Sequence, residues 1–336
     1  MNEPRKILLT FDYEPFLGAK SGTVEKCMLR PTDELRAIMN KYEAKAVFFV
    51  DTLYLLNLAK HQALNKDFLA VTSQLKELHA EGHYIFPHIH PHWIDATYLE
   101  DKKEFSLTNT SLYSLANLQG PAINALFEDS FKCLNDIGIT YPQWGYRAGG
   151  WCIQPFNALK NIFISKNIVF DFSVLPGCRN DSPNQAFNFS RVTKSKAYYF
   201  SDAVEVPDDD GQFVEFPIST IQFSPLTRFK DRLVRKYLWK KGDKGYGDGM
   251  GAQLTPVKFN LVTQEMIAIE LLNAAKLNGY KRYLKNEEYM HWISHPKMVT
   301  EHGLRMFDNF LDFATNNYAV IFDFHKMIPF LKNRGI

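Results

Sequence analysis

Gly82-His83-Tyr84-Ile85-Phe86-Pro87-His88-Ile89-His90-Pro91-His92-Trp93 sets four histidines within ten residues. The run opens on a glycine that stops a helical pattern, passes through a short apolar segment and ends in imidazoles. An apolar run after a helix stop reads as a buried strand, with the polar residues at its end as a site the strand carries. His88 and His92 are four residues apart, His88 and His90 two. Neutral imidazoles held close on a loop or turn can grip one divalent ion. A histidine cluster can equally be a satisfied polar patch. What favours a metal is a set of carboxylates at the end of another expected strand.

That strand is the apolar run 7–11, which ends in Asp12-Tyr13-Glu14. Residues two apart in a strand point the same way, so Asp12 and Glu14 project together. They do so from the C-terminal end, where barrels and open α/β sheets carry their chemistry. Working outward, 46–51 is a second buried strand and 144–151 a strand end with a glycine turn. The runs 168–173, 291–295 and 318–322 complete the strands. Helices are expected at 31–42, about 67–80, 108–137 with a break near Gly120-Pro121, about 155–166, about 263–277 and about 303–315. Alternating β and α implies a parallel sheet with helices outside. The alternation breaks between about 176 and 251. There, 198–218 resembles a hairpin turning at Asp208-Asp209-Asp210-Gly211. The stretch 228–241 mixes seven basic residues with aromatics and aliphatics, and the glycine-rich 242–251 follows. One domain over 1–336 with an insertion at about 176–251 is the simplest partition.

The bulk numbers are those of a globular protein: 336 residues, 46% hydrophobic, 23% charged. A net charge of +2 gives no field that argues for nucleic acid as a partner. The 27 Phe and 16 Tyr would line a sugar groove or fill a core. Cys27, Cys133, Cys152 and Cys178 lie far apart without a C-x-x-C pair, as free thiols in a reducing compartment would. The N-terminal apolar run is too short for a signal peptide or a membrane span. The expectation is a cytoplasmic protein.

Five ordered motifs resemble those of the NodB-type polysaccharide deacetylases, carbohydrate esterase family 4. Thr10-Phe11-Asp12 is similar to the start of T-F-D-D, and Ala46-Val47-Phe48-Phe49-Val50 to A-T-F-F-V. The histidine run follows the spacing of G-H-E-I-G-S-H-T-x-x-H. Tyr146-Arg147-Ala148-Gly149-Gly150-Trp151 resembles R-x-P-x-G, with Asp171 where the fourth motif has its acid. Ile293-Ser294-His295 resembles the apolar-x-His motif. The resemblance implies an α/β fold, a distorted (β/α) barrel of about seven strands, and metal-dependent removal of N-acetyl groups from sugars. The H-x-H-P-H-W and R-A-G-G-W forms look closest to a subgroup associated with surface-polysaccharide and O-antigen synthesis.

What the resemblance implies for residues is specific. Asp12 matches the base and His295 the general acid, with Arg147 pairing Asp12 and Asp171 orienting His295. The family's metal carboxylate is the second Asp of D-D, and here Tyr13 holds that position. A phenol is a poor ligand, so Glu14 is the expected substitute, with His88 and His92 completing a triad for Zn²⁺, or for Co²⁺ or Ni²⁺. The swapped roles, Asp12 as ligand and Glu14 as base, stay open. Tyr13, His90, Trp93, Gly149, Gly150 and Trp151 are the expected substrate contacts. The tryptophans would stack on sugar faces, and the glycine turn would offer N–H groups to an oxyanion. His90 also reads as a spare ligand. The expected partner is an N-acetylated saccharide, lipid- or nucleotide-linked, and 228–241 is a candidate contact with anionic membrane. Two alternatives remain: a metal-dependent amidohydrolase of a small non-sugar amide, and an inactive saccharide-binding homologue.

Overall fold

The computed structural model describes residues 3–107, 112, 114–118, 120–193, 196–252 and 255–332. Its first half runs β1 (Arg5–Tyr13), α1 (Arg30–Lys41), β2 (Ala46–Asp51), α2 (Thr52–Lys60), α3 (Asn65–Ala80), β3 (Tyr84–Ile89), β4 (Thr97–Leu99), β5 (Glu104–Ser106), α4 (Gly120–Asp136), β6 (Trp144–Ala148), α5 (Asn157–Ser165) and β7 (Ile168–Asp171). Then follow β8 (Cys178–Asp181), β9 (Ala186–Asn188), β10 (Tyr198–Phe200), β11 (Phe213–Glu215), β12 (Thr220–Gln222), α6 (Pro225–Lys240), β13 (Lys258–Phe259) and β14 (Gln264–Met266). The chain closes with α7 (Leu277–Asn286), β15 (Tyr289–Ser294), α8 (Glu301–Asn317), β16 (Val320–Ile321) and α9 (Pro329–Lys332).

β1 is buried along all but its first residue, and β2 throughout, as strands covered on both faces must be. The main sheet is ordered β10-β11-β7-β6-β3-β2-β1-β15, with β16 pairing β1. From β11 to β15, seven neighbours run parallel. β10 lies antiparallel on β11. The sheet curls into a half-barrel, the distorted (β/α) barrel that the motifs led us to expect. Backbone outside the strands bridges its open side. Phe216 N–H donates to Asp171 O at 2.9 Å and Ile218 N–H to Val174 O at 2.8 Å. On the other flank Ser219 N–H reaches His291 O at 3.2 Å, and Ile293 N–H reaches Ile267 O at 3.0 Å.

Phenylalanine fills the interior. Phe172 lies 5.1 Å from both Phe49 and Phe216, and Phe324 enters from the C-terminal segment to within 5.2 Å of Phe170 and 5.8 Å of Phe86. Much of the aromatic excess is therefore core. Strand register lines up one rim: Asp51 pairs His88, His88 pairs Arg147, and Tyr146 pairs Asp171. All four cysteines are free and buried.

Several expectations need correction. The helix expected at about 263–277 does not form: β14 and the buried non-helical residues Ile267, Ala268 and Ile269 occupy that place. Ile267 and Ile269 are β-branched and fit beside a strand better than on a helix. The helix starts instead at Leu277, burying Tyr280 and Leu284. α2 was not anticipated, although Asp51 caps it by accepting from Tyr54 N–H at 3.3 Å. Among the described residues of 108–137, α4 runs from Gly120 on and Leu115–Asn117 form a short 3₁₀ turn; residues 108–111, 113 and 119 lie outside the described residues. Within the expected insertion, β10 and β11 form the hairpin and join the main sheet.

Candidate functional site

Asp12 and Glu14 leave the end of β1 on the same side, and Tyr13 leaves on the other. Tyr13 is fully buried, and its hydroxyl donates to Gln74 Oε1 on α3 at 2.8 Å. The expected substrate contact at Tyr13 is thus corrected: strand alternation sends it into the helix layer.

β3 continues extended through His90 (φ −108°, ψ 98°) before Pro91 opens a short 3₁₀ turn. His88 and His90 therefore share a face by strand parity, and the turn carries His92 away. Glu14 Oε2 lies 2.9 Å from His90 Nε2 and 3.5 Å from His88 Nε2, and the two Nε2 atoms are 2.9 Å apart. These three residues bring their ligand atoms within 4.8 Å of one another, and His92, the expected third ligand, is not among them. Burial, then the neighbouring His90, pushes His92 down to about 3.

The donor triangle fits one metal ion. Tetrahedral bonds of about 2.0–2.1 Å put ligand atoms roughly 3.3 Å apart. The measured edges of 2.9, 2.9 and 3.5 Å bracket that. His88 is set for the task. Its Nδ1 donates to Arg147 O at 2.8 Å, which leaves the Nε2 lone pair facing Glu14 and His90. Burial pushes His88 down to about 4, towards the neutral form a ligand needs. Burial pushes Glu14 up, but Lys297 and His90 outweigh it and hold its carboxylate well below the usual range. Lys297 Nζ donates to Glu14 Oε1 and to Pro15 O, both at 2.7 Å.

Asp12 is the second centre. Arg147, fully buried at the end of β6, donates from NH1 to Asp12 Oδ1 at 2.5 Å and from NH2 to Thr10 Oγ1 at 2.7 Å. Its Nε donates to Phe172 O at 3.0 Å, and the guanidinium carbon sits 4.2 Å from the centre of the Phe49 ring. His291 Nδ1 donates to Phe216 O at 3.0 Å, so its Nε2 accepts from Arg147 NH2 at 3.1 Å. Burial pushes Asp12 up; Arg147, His88 and His295 together bring it below its ordinary value. Across the site His295 Nε2 lies 3.5 Å from Asp12 Oδ2.

The carboxylate behind His295 is Glu270, whose Oε1 accepts from Nδ1 at 2.9 Å. Burial lowers His295, but the bond to Glu270 and the charge of Asp12 raise it above its usual value. Asp171, expected in that role, is corrected. Phe170 and Phe172 take the inner face of β7 against Phe324, so Asp171 takes the outer. There it accepts from Ser173 Oγ at 2.8 Å.

Trp93 is also corrected. It is buried, donates from Nε1 to Asp51 and packs 4.9 Å from Tyr54. Trp151 stays half-exposed at the rim, at φ 61° after Gly150 at φ 57°. At Gly149 a Cβ would fall 2.5 Å from Ile89 O and 2.9 Å from His90 Nδ1, so only glycine lets this turn close on the histidines.

Sequence reasoning missed Lys297, Glu270 and the support from His291. Lys297 had a signal, lying two residues beyond His295 at the same strand end; Glu270 had none, because it sits in a segment read as helix.

No protein-family profile matches the chain, and no curated protein matches it. Solved structures do. One assigned as a polysaccharide deacetylase from Mycobacterium smegmatis aligns with 99% of this chain and 92% of its own, at 12% identity and a TM-score of 0.51. The 4-alpha-glucanotransferase of Thermococcus litoralis aligns with 98% of this chain and 39% of its own, at 12% identity and a TM-score of 0.50. Another assigned as a polysaccharide deacetylase, from Pseudomonas aeruginosa PAO1, aligns with 99% and 95%, at 9% identity and a TM-score of 0.49. At these identities the likeness is one of fold, and the same fold carries different chemistries.

Proposed function

We propose that this chain is a divalent-metal-dependent hydrolase that removes the acetyl group from an N-acetylated saccharide. One observation carries the reading: Glu14, His88 and His90 meet beside the Asp12–Arg147 pair and across from the His295–Glu270 pair. Amide hydrolysis needs an activated water, a proton acceptor for it and a proton donor for the departing nitrogen. Glu14, His88 and His90 would hold the ion, which supplies Lewis-acid polarisation and a water of lowered pKa. Zn²⁺ suits two imidazoles and one carboxylate, with Co²⁺ and Ni²⁺ as substitutes. Glu14 rather than Asp12 is the ligand, because Asp12 comes no closer than 3.9 Å to His88 Nε2 and is committed to Arg147.

Asp12, held ionised by Arg147, takes the water's proton. His295, held protonated by Glu270, returns one to the amine. Backbone N–H groups of 149–151 would receive the developing oxyanion, and Trp151 would offer an apolar face to the sugar ring. The grouping of the Glu14–His88–His90 donors with Asp12 and His295 supports the reaction class, and a precursor of surface polysaccharide such as O-antigen, carried on lipid or nucleotide, is the substrate class we place first.

Two measurements test this: metal content of the purified protein, and acetate release from free, nucleotide-linked and lipid-linked N-acetylated sugars. About one ion per chain with acetate release is the expected pair. A protein that stays metal-free after soaking in Zn²⁺, Co²⁺ or Ni²⁺ sinks the reading.

A further inference from the structure

A surface helix ordinarily turns its apolar residues inward. α6 keeps only Val234 and Leu238 half-buried and carries its large apolar residues Leu226, Phe229, Leu233, Tyr237 and Trp239 outward. None of its residues is buried, and its lone acid, Asp231, faces the protein. Asp231 Oδ1 accepts from Arg235 Nε at 2.9 Å and from Asn273 Nδ2 at 2.6 Å, and Lys276 Nζ lies 3.4 Å from Oδ2. Arg235 NH2 also donates to Leu271 O at 2.7 Å.

The outer face carries Leu226, Phe229, Leu233 and Tyr237, exposed by 62%, 59%, 53% and 61%. Their spacing of three and four residues makes one stripe along the helix. Arg232, Lys236 and Trp239 border it on one side, and Lys230 and Lys241 on the other, all exposed. Among the described residues Lys230, Arg232, Lys236 and Lys240 make no ion pair. Lys244, just beyond the helix, sits 4.7 Å over the Trp239 ring.

We propose that α6 docks the protein onto an anionic lipid bilayer. The stripe is convex and one side chain wide, so it offers no groove to a partner helix. An apolar stripe bordered on both sides by long cations matches the boundary between acyl chains and headgroups. The apolar side chains enter it, the Lys and Arg stems follow them, and their charged ends meet lipid phosphates. Among the described residues no helix is long and apolar enough to cross a membrane, so this contact lies on the surface of the bilayer.

From α6 the chain runs directly to the site. Tyr246 N–H donates to Val299 O at 3.1 Å, Gly247 N–H to Lys297 O at 2.9 Å and Met250 N–H to Lys20 O at 2.7 Å. Docking would therefore hold the wall that carries Lys297 close to the bilayer, where a lipid-carried substrate lies. Only this last step rests on the proposed reaction, and the test below reads binding alone.

The test is flotation of the full chain with vesicles of phosphatidylcholine, with and without phosphatidylglycerol. The wild type should float with the anionic vesicles only, and salt should weaken it. Phe229→Ser with Leu233→Ser should abolish binding. Lys230→Ser, Arg232→Ser and Lys236→Ser together should weaken it by about fivefold per cation removed. All five side chains point outward, so both variants should melt with the wild type. Absence of wild-type binding overturns the proposal, as does binding that survives both variants. Loss in the charge variant alone would also overturn it, since binding would then need no inserted side chain.

Discussion

Glu14, His88 and His90 come from the ends of β1 and β3, whereas His295, Lys297 and Glu270 come from the end of β15 and from the irregular backbone beside it. On the first wall a single rule decides everything: residues two apart on a strand share a face. On the second wall the carboxylate bonded to His295 belongs to a segment with no strand signature, placed by Ile269 N–H donating to Ser294 Oγ at 2.8 Å. A pleat can be read from local sequence; a partner delivered by irregular backbone cannot.

The largest effect should come where the two walls meet. Arg147→Met leaves Asp12 buried without its counter-ion, which costs about 3–5 kcal/mol; urea unfolding measures it. A loss under about 1 kcal/mol would mean that solvent already reaches the pair. Next is the identity of the second imidazole. His90→Ala should lower metal affinity beyond the ~10–100-fold that loss of an outer hydrogen bond costs, while His92→Ala keeps the ion. Titration with a competing chelator separates them, and the opposite ranking would restore helical spacing over strand parity.

The second wall is probed by Glu270→Gln. Metal content should stay at the wild-type level while kcat falls on the order of 10–100-fold, no more than the smallest contribution typical of general acid–base catalysis, because the acid itself remains. The sign with pH follows from the raised His295. The acid must stay protonated, so activity falls as pH climbs through its raised value, and without Glu270 that fall should begin at lower pH. Asp171→Asn should leave this limb where it is. The smallest effect is expected for Tyr13→Phe, which removes only the bond to Gln74, at about 1 kcal/mol of stability with no change in metal.

The same contrast explains how much was legible beforehand. The apolar runs at 7–11 and 46–51 foretold a parallel sheet, because strands covered on both faces are apolar throughout; its closing towards a barrel was implied only by the family resemblance. Asp12 and Glu14 were named from a strand end and His88 from the histidine run, whereas Arg147 and His295 were named only through the family resemblance. His92 was preferred to His90 because the family's histidine spacing was carried over, whereas here the backbone stays extended through His90 and Pro91 then opens a turn. Asp171 and Tyr13 were misplaced for one shared reason: their strand neighbours, not they, own the inner face. Trp93 was taken for a sugar platform because nothing local marks Asp51 as its hydrogen-bond acceptor.

The pairing of Lys6 with Tyr289 and of Phe11 with Ser294 sets a timetable for the chain's birth on the ribosome. β1 is made well before β15, so its β15 edge stays open until Tyr289–Ser294 has emerged, a delay on the order of tens of seconds at typical elongation rates. For that time a buried-type strand presents unpaired backbone, an invitation to pair with a neighbouring copy. Yield in the cell should therefore depend on chaperone supply more than the melting temperature suggests, and fragments ending before β15 should aggregate rather than fold.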